Sequence, residues 1–214
     1  MRTHVYKYLE GILENLSYEG DVLDTAAGWK TDYYDKLYRG RTVKKQDFFN
    51  YKEGTIDYIC DICDMSNIPD DAFGLVLCLE SLEHIEYPRK AIEEMTKKLT
   101  MGGFLIATVP LGFHIHHHPK DFWRYCPDGM WSLFRGKYNV HDFTIEGHPK
   151  FPRAIWTTVQ KVPTEDINNE ENTYKVCHPN IVEVHDDIDL NKRSHKLLKH
   201  FAKWFGYELI RIKY

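Results

Sequence analysis

The chain has 214 residues with a formal net charge of -4, 43% hydrophobic and 28% charged residues. That is a globular composition, long enough for one sizeable core, and its balance excludes a nucleic-acid binder that works by bulk phosphate neutralisation. No apolar run is long enough for a membrane span and the amino terminus has no signal-peptide pattern, so the sequence reads as cytoplasmic.

In chain order, residues 5–16 place Val5, Leu9, Ile12, Leu13 and Leu16 at helical spacing, which predicts an amphipathic helix. The run Asp21 to Asp24 then reads as a short buried strand entering a turn, residues 30–38 as a helix, and residues 42–48 and 55–60 as two further strands. Ala72 to Leu79 (AFGLVLCL) is apolar almost throughout, as a central parallel strand covered on both faces must be. Pro88 to Leu99 is a helix with proline in its first turn, stopped by Met101-Gly102-Gly103, and Phe104 to Val109 is the next strand. Pro127 to Phe134 reads as a helix, and residues 140–146 and 154–161 as an antiparallel pair. Strand and helix alternate, which predicts an α/β fold with a doubly wound, mostly parallel sheet and an antiparallel terminal hairpin.

Residues 163–190 are rich in Asp, Glu and Asn and read as a long acidic loop. A basic amphipathic helix around Leu197 to Phe205 and a strand over 207–212 follow. The organisation expected is a ligand-binding domain over 1–162, with 163–214 packed on the same domain. The terminal helix is expected to pack there or to form a homodimer contact. Of five cysteines, Cys60, Cys63 and Cys78 fall in or beside strands and read as small buried thiols, because the lone CxxC has no second pair at zinc spacing.

In an open parallel sheet, ligands bind beyond the carboxyl ends of the strands. Four successive strand ends carry acids there: Asp24 (with Gly28 in the following turn), Asp47, Asp61 and Glu80. Asp47 suits a ribose diol. Asp61 with Ile62 suits the amine and the face of an adenine. A phosphate site would instead want glycines and a lysine, so this pattern favours a ligand with hydroxyls, an adenine and a cationic sulfonium.

The segments DVLDTAAG (21–28), DICDMSNIP (61–69), AFGLVLCLESLEH (72–84) and LTMGGFLIATVP (99–110) resemble the ordered motifs of class I S-adenosylmethionine-dependent methyltransferases. The similarity is closest to the broad group that includes ubiquinone/menaquinone and sugar methyltransferases, and HPKDFWRYCP (118–127) resembles a loop of its glycan-biosynthesis subset. The resemblance implies a seven-stranded Rossmann-like methyltransferase fold with S-adenosylmethionine as cofactor. It also implies Asp24, Ala26 and Gly28 under the methionine part, Asp47 at the ribose, Asp61 and Ile62 at the adenine, and Glu80 at the reaction edge. In the usual D-x-G-x-G-x-G loop this chain has Ala26 and Lys30 at two glycine positions.

Methyl transfer is an in-line displacement that needs alignment and, for a hydroxyl acceptor, a proton acceptor. His84, His118 and Asp121 are the catalytic candidates. His116, Trp123, Arg124 and Tyr125 are candidates for an acceptor pocket, through aromatic faces and a phosphate-pairing guanidinium. The tract HIHHH (114–118) reads as a surface loop without a metal, since no carboxylate or cysteine sits at helical spacing to complete a shell. The expected function is methylation of a small molecule, glycan or nucleotide sugar. Two rivals are a catalytically degraded binding or regulatory protein of the same fold, and a nicotinamide-dependent oxidoreductase, which the absent GxGxxG disfavours.

Overall fold

The computed structural model describes residues 3–28, 35–38, 40–51, 53–117, 119–148, 150–167 and 175–177. They belong to one compact unit, Met1–Pro179. The expected terminal helix and strand, most of the acidic segment, Lys30 and His118 lie outside the described residues.

The elements are α1 (Thr3–Asn15), β1 (Asp21–Thr25), β2 (Val43–Asp47), β3 (Tyr58–Ile59), β4 (Phe73–Leu79), α2 (Pro88–Lys98), β5 (Leu99–Pro110), α3 (Pro127–Phe134), β6 (Asn139–His148), β7 (Phe151–Gln160) and β8 (Lys175–Cys177). The sheet order is β3-β2-β1-β4-β5-β7-β6-β8. Strands β3, β2, β1, β4 and β5 pair in parallel, and β7 alone runs against its neighbours β5 and β6. This is the expected doubly wound, mostly parallel sheet with its antiparallel hairpin. An eighth short strand, β8, pairs in parallel with β6 inside the segment expected to be loop.

The central strands are covered on both faces, and their residues alternate between two cores. Val22, Leu75, Leu77, Phe104 and Ile106 pack on one side with Val5, Leu9, Leu13 and Leu16, the stripe that makes α1 amphipathic. Leu23, Val76, Cys78, Leu105 and Ala107 point to the other side, against Ile92 and Met95 of α2 and Met130 and Phe134 of α3. Successive side chains of a strand leave on opposite faces, so an unbroken apolar run is what two covered faces require.

Two local departures have physical causes. The expected third strand shrinks to Tyr58–Ile59, because it pairs only with Gln46 and Asp47 at the end of β2. Strand β5 begins at Leu99, directly after α2, and absorbs Gly102 and Gly103 as an irregularity: Phe73 pairs with Leu99 but Leu75 with Phe104. Gly102 has φ +83, and a Cβ on Gly103 would lie 3.0 Å from the carbonyl oxygens of Gly74 and Thr100. Lys98 is buried; its ammonium donates to the Ile68 carbonyl (2.9 Å) and the Asp70 carboxylate (2.5 Å), holding the turn before β4.

No helix of the described residues is long and apolar enough to cross a membrane. Among the described glycines the tightest approach is at Gly74, where a Cβ would stand 1.8 Å from the Glu19 carbonyl oxygen. Gly74→Ala must therefore separate β4 from the segment that leads into β1. It is expected to cost about 3 kcal/mol and lower the melting temperature by roughly 6–12 °C. A thermal scan with an unchanged midpoint would contradict the packing described.

Candidate active site

The winding of the sheet reverses between β1 and β4, and a cleft of about 700 Å³ opens beyond the carboxyl ends of the strands there. Asp24, Ala26, Gly28, Asp47, Asp61, Ile62 and Glu80 all line it. The sequence-predicted ligand residues therefore converge on one cavity, delivered by the ends of four strands.

The loop after β1 is fastened to the end of β2 by three consecutive amides. Ala26 N donates to the Gln46 side-chain oxygen (3.1 Å), Ala27 N to the Gln46 carbonyl (3.1 Å) and Gly28 N to Asp47 Oδ2 (2.8 Å). The other Asp47 oxygen accepts from Phe49 N at 3.0 Å. A carboxylate oxygen has two lone pairs, so both oxygens retain capacity for ligand hydroxyls. Asp61 similarly takes Cys63 N on one oxygen at 2.8 Å. Gln46, which the sequence reading passed over, is 1% exposed and also donates to the Cys60 carbonyl at 2.7 Å. A polar residue next to a strand-end acid was the available signal. Phe48, Phe49 and Tyr51, all exposed, supply an aromatic rim to the cleft.

An alanine at this glycine position is free of strain only where φ is negative. Ala26 has φ +49, in the left-handed region that Glu80 (φ +52) and His117 (φ +40) also occupy. The usual glycine is the residue for which this conformation carries no Cβ penalty.

The other end of the cleft is built on the 3-10 turn Leu82–His84 after β4. The loop over 119–126 is pinned to this turn at several points. Phe122 N and Trp123 N both donate to the Glu83 carbonyl (2.8 and 3.2 Å), Trp123 Nε1 to the Ile85 carbonyl (2.9 Å) and Tyr125 OH to the Leu82 carbonyl (3.3 Å). His84 Nδ1 lies 2.5 Å from the Lys120 carbonyl oxygen, which fixes the proton on Nδ1 and makes Nε2 the basic nitrogen. Arg124 forks onto Asp121, with Nη2 to Oδ2 at 2.7 Å and Nη1 to Oδ1, and also reaches the His114 carbonyl at 2.9 Å. Asp121 then accepts from His116 N (2.9 Å) and stands 3.2 Å from His116 Nδ1.

His84, His116 and Phe122 line the cleft, whereas Asp121, Trp123, Arg124 and Tyr125 are not among its lining residues. Of the last three, expected at an acceptor pocket, Trp123 and Tyr125 clasp the loop to the turn, and Arg124 ties Asp121 to the His114 carbonyl within the loop. The Arg124 guanidinium keeps the Asp121 carboxyl well below the usual carboxylate range, which suits an anchor better than a proton acceptor.

Glu83 is 1% exposed, and among the described residues neither of its carboxylate oxygens has a hydrogen-bond partner. Burial, with the Glu80 charge adding to it, pushes its carboxyl up to about 8. Among the described residues Cys60, Cys63, Cys78 and Cys126 are free thiols. Burial drives Cys63 up to about 11 and Cys78 up to about 12, so neither is a nucleophile near neutrality.

A family model described as a methyltransferase domain matches residues 31–107, which begin just past the atypical first loop and end inside β5. No curated protein matches the sequence. Among solved structures, a SAM-dependent methyltransferase from Archaeoglobus fulgidus aligns with a TM-score of 0.59 at 13% identity, over 75% of this chain and 95% of its own. A Burkholderia thailandensis 1,6-didemethyltoxoflavin-N1-methyltransferase, solved with 1,6-didemethyltoxoflavin and S-adenosylhomocysteine, aligns with a TM-score of 0.59 at 18% identity, over 73% and 78%. The [4+2]-cyclase SpnF aligns with a TM-score of 0.57 at 14% identity, over 74% and 82%. The chain thus shares the α/β fold of these solved structures, and its residues 31–107 match the methyltransferase-domain model.

Ala26→Gly removes the Cβ from a left-handed position and leaves the hydrogen bonds of the loop amides in place. It is expected to stabilise the protein by about 1 kcal/mol, raising the melting temperature by roughly 2–4 °C. Differential scanning calorimetry of the two proteins checks it; a lower midpoint for the glycine variant would mean that the loop does not hold this conformation.

Proposed function

We propose that the cleft binds S-adenosylmethionine and that the protein transfers its methyl group to a small-molecule or glycan acceptor entering at the His84–His116 end. The observation that carries this reading is the convergence of Asp24, Gly28, Asp47, Asp61, Ile62 and Glu80 on one cavity, in strand order, at the reversal of the winding. In this reading the methionine part lies over Asp24, Ala26 and Gly28. Asp47 takes the ribose hydroxyls, Asp61 the adenine amine, and Ile62 the adenine face under the aromatic rim of Phe48 and Phe49. Glu80, at the end of β4, faces the sulfonium, whose positive charge a carboxylate stabilises.

The chemistry that remains is alignment of the acceptor and removal of its proton. Both fall to the histidine end of the cleft, where Lys120 and Asp121 hold the rings of His84 and His116. Asp121 is a positioning residue in this scheme. His118 and Asp121 were the other proton-acceptor candidates, and His118 lies outside the described residues.

Isothermal titration with S-adenosylhomocysteine tests the proposal. Wild type is expected to bind one equivalent. Asp47→Ala and Asp61→Ala are each expected to weaken binding about 10–100-fold, the worth of one charge-assisted hydrogen bond. No heat at millimolar ligand would sink the reading. The positive φ of Ala26 favours a second reading, in which the same cleft binds the cofactor without turning over. Binding that persists while no panel of hydroxylated acceptors is methylated, with Ala26→Gly gaining nothing, is the outcome that would favour it.

A further inference from the structure

Glu83 has no part in holding the cofactor. Its side chain is buried behind the cleft wall, and a carboxylate there with neither oxygen hydrogen-bonded is costly unless a proton or a cation joins it. Two imidazoles stand beside it. His84 Nε2 is 3.7 Å from Glu83 Oε1, and the His84 and His116 rings meet edge to face with centroids 4.6 Å apart. One donor atom from each of Glu83, His84 and His116 lies within 4.8 Å of the other two. We propose that Glu83, His84 and His116 form a binding site for one divalent transition-metal ion of the zinc class, at the acceptor end of the cleft.

The ligand chemistry matches. Two imidazoles and one carboxylate are a donor set that divalent zinc accepts, with positions left open for water or an oxygen-bearing ligand. The outer contacts match too. Imidazole ligands commonly have their second nitrogen held by a carbonyl or carboxylate, which sets tautomer and ring orientation. Here the Lys120 carbonyl does so for His84 and Asp121, braced by Arg124, for His116. In a tetrahedral shell donors sit roughly 3.4 Å apart. His84 and Glu83 are near that already, and closing the set asks for side-chain shifts of about an ångström.

The expected metal-free surface loop is thereby revised on one point: the carboxylate that the HIHHH spacing lacked comes from the turn after β4. Because His84 and His116 also line the cleft, the open positions of the ion face it. They suit an acceptor with a hydroxyl, phenol or carboxylate oxygen. That last step rests on the methyl-transfer reading; ion binding itself does not.

Cobalt(II), added to full-length protein stripped with chelator, tests the site. Binding is expected at one equivalent in the micromolar range or tighter, with ligand-field bands in the visible. Competing zinc is expected to abolish the bands. Glu83→Gln, nearly isosteric, and His116→Ala should each weaken binding at least tenfold, with circular dichroism reporting that they fold. His114→Ala should leave it within twofold. Absent bands, or His114→Ala weakening binding as much as Glu83→Gln, would overturn the proposal, the latter assigning the ion to the exposed histidine tract. S-adenosylhomocysteine titrated into the same samples separates the two readings. Its binding without cobalt bands sinks the metal site alone, and cobalt bands without its binding sink the cofactor reading alone.

Discussion

Everything in this molecule follows from burying β1, β4 and β5 on both faces. A strand covered above and below can carry a polar side chain along its length only where a hydrogen bond offsets its desolvation, as for Thr25 on the Leu77 carbonyl. Polar chemistry is therefore pushed to the strand ends. The parallel arrangement brings those ends to one edge, and the reversal between β1 and β4 parts the helices so that the edge is open. Asp24, Asp47, Asp61 and Glu80 sit there, where the strands run out and the cleft begins.

The edge has two halves built by different means. On the β1–β2 side the backbone of one loop is tied down by the end of the neighbouring strand, Gln46 and Asp47 taking three amides in a row. On the β4 side a long loop is fixed by clasps to a single turn of 3-10 helix: the Glu83 carbonyl alone takes two amides. The first half is shaped for an extended polar ligand. The second concentrates imidazoles and carboxylates, with Trp123 and Tyr125 spent on fastening and Phe122 left to line the cleft. Strain collects at the junctions, for three non-glycine residues at the cleft or beside it, Ala26, Glu80 and His117, have positive φ.

The fold was legible in the sequence to a high degree, because double burial leaves a pattern that no other architecture makes. AFGLVLCL could only be a covered central strand, and the stripe of Val5, Leu9, Leu13 and Leu16 could only face a core. The strand-end acids were equally legible, since their positions follow from where the apolar runs stop. What spacing misjudged was local. Met101-Gly102-Gly103 looked like a terminator and became part of β5, because a backbone irregularity there meets Gly74 where only glycine fits. Ala26 looked tolerable and lies in the left-handed region.

The sequence by itself determined the order of elements, the sheet and the residues that reach its carboxyl edge, all through periodicity and the cost of burying polar groups. Only the tertiary structure decided which members of the His-rich loop face the cleft. It also turned Trp123, Arg124 and Tyr125 into clasps and set Glu83 beside His84 and His116. Those outcomes depend on how one loop folds back across a turn from a distant part of the chain. No periodicity records that, because the hydrogen bonds responsible run through main-chain carbonyls that every residue has.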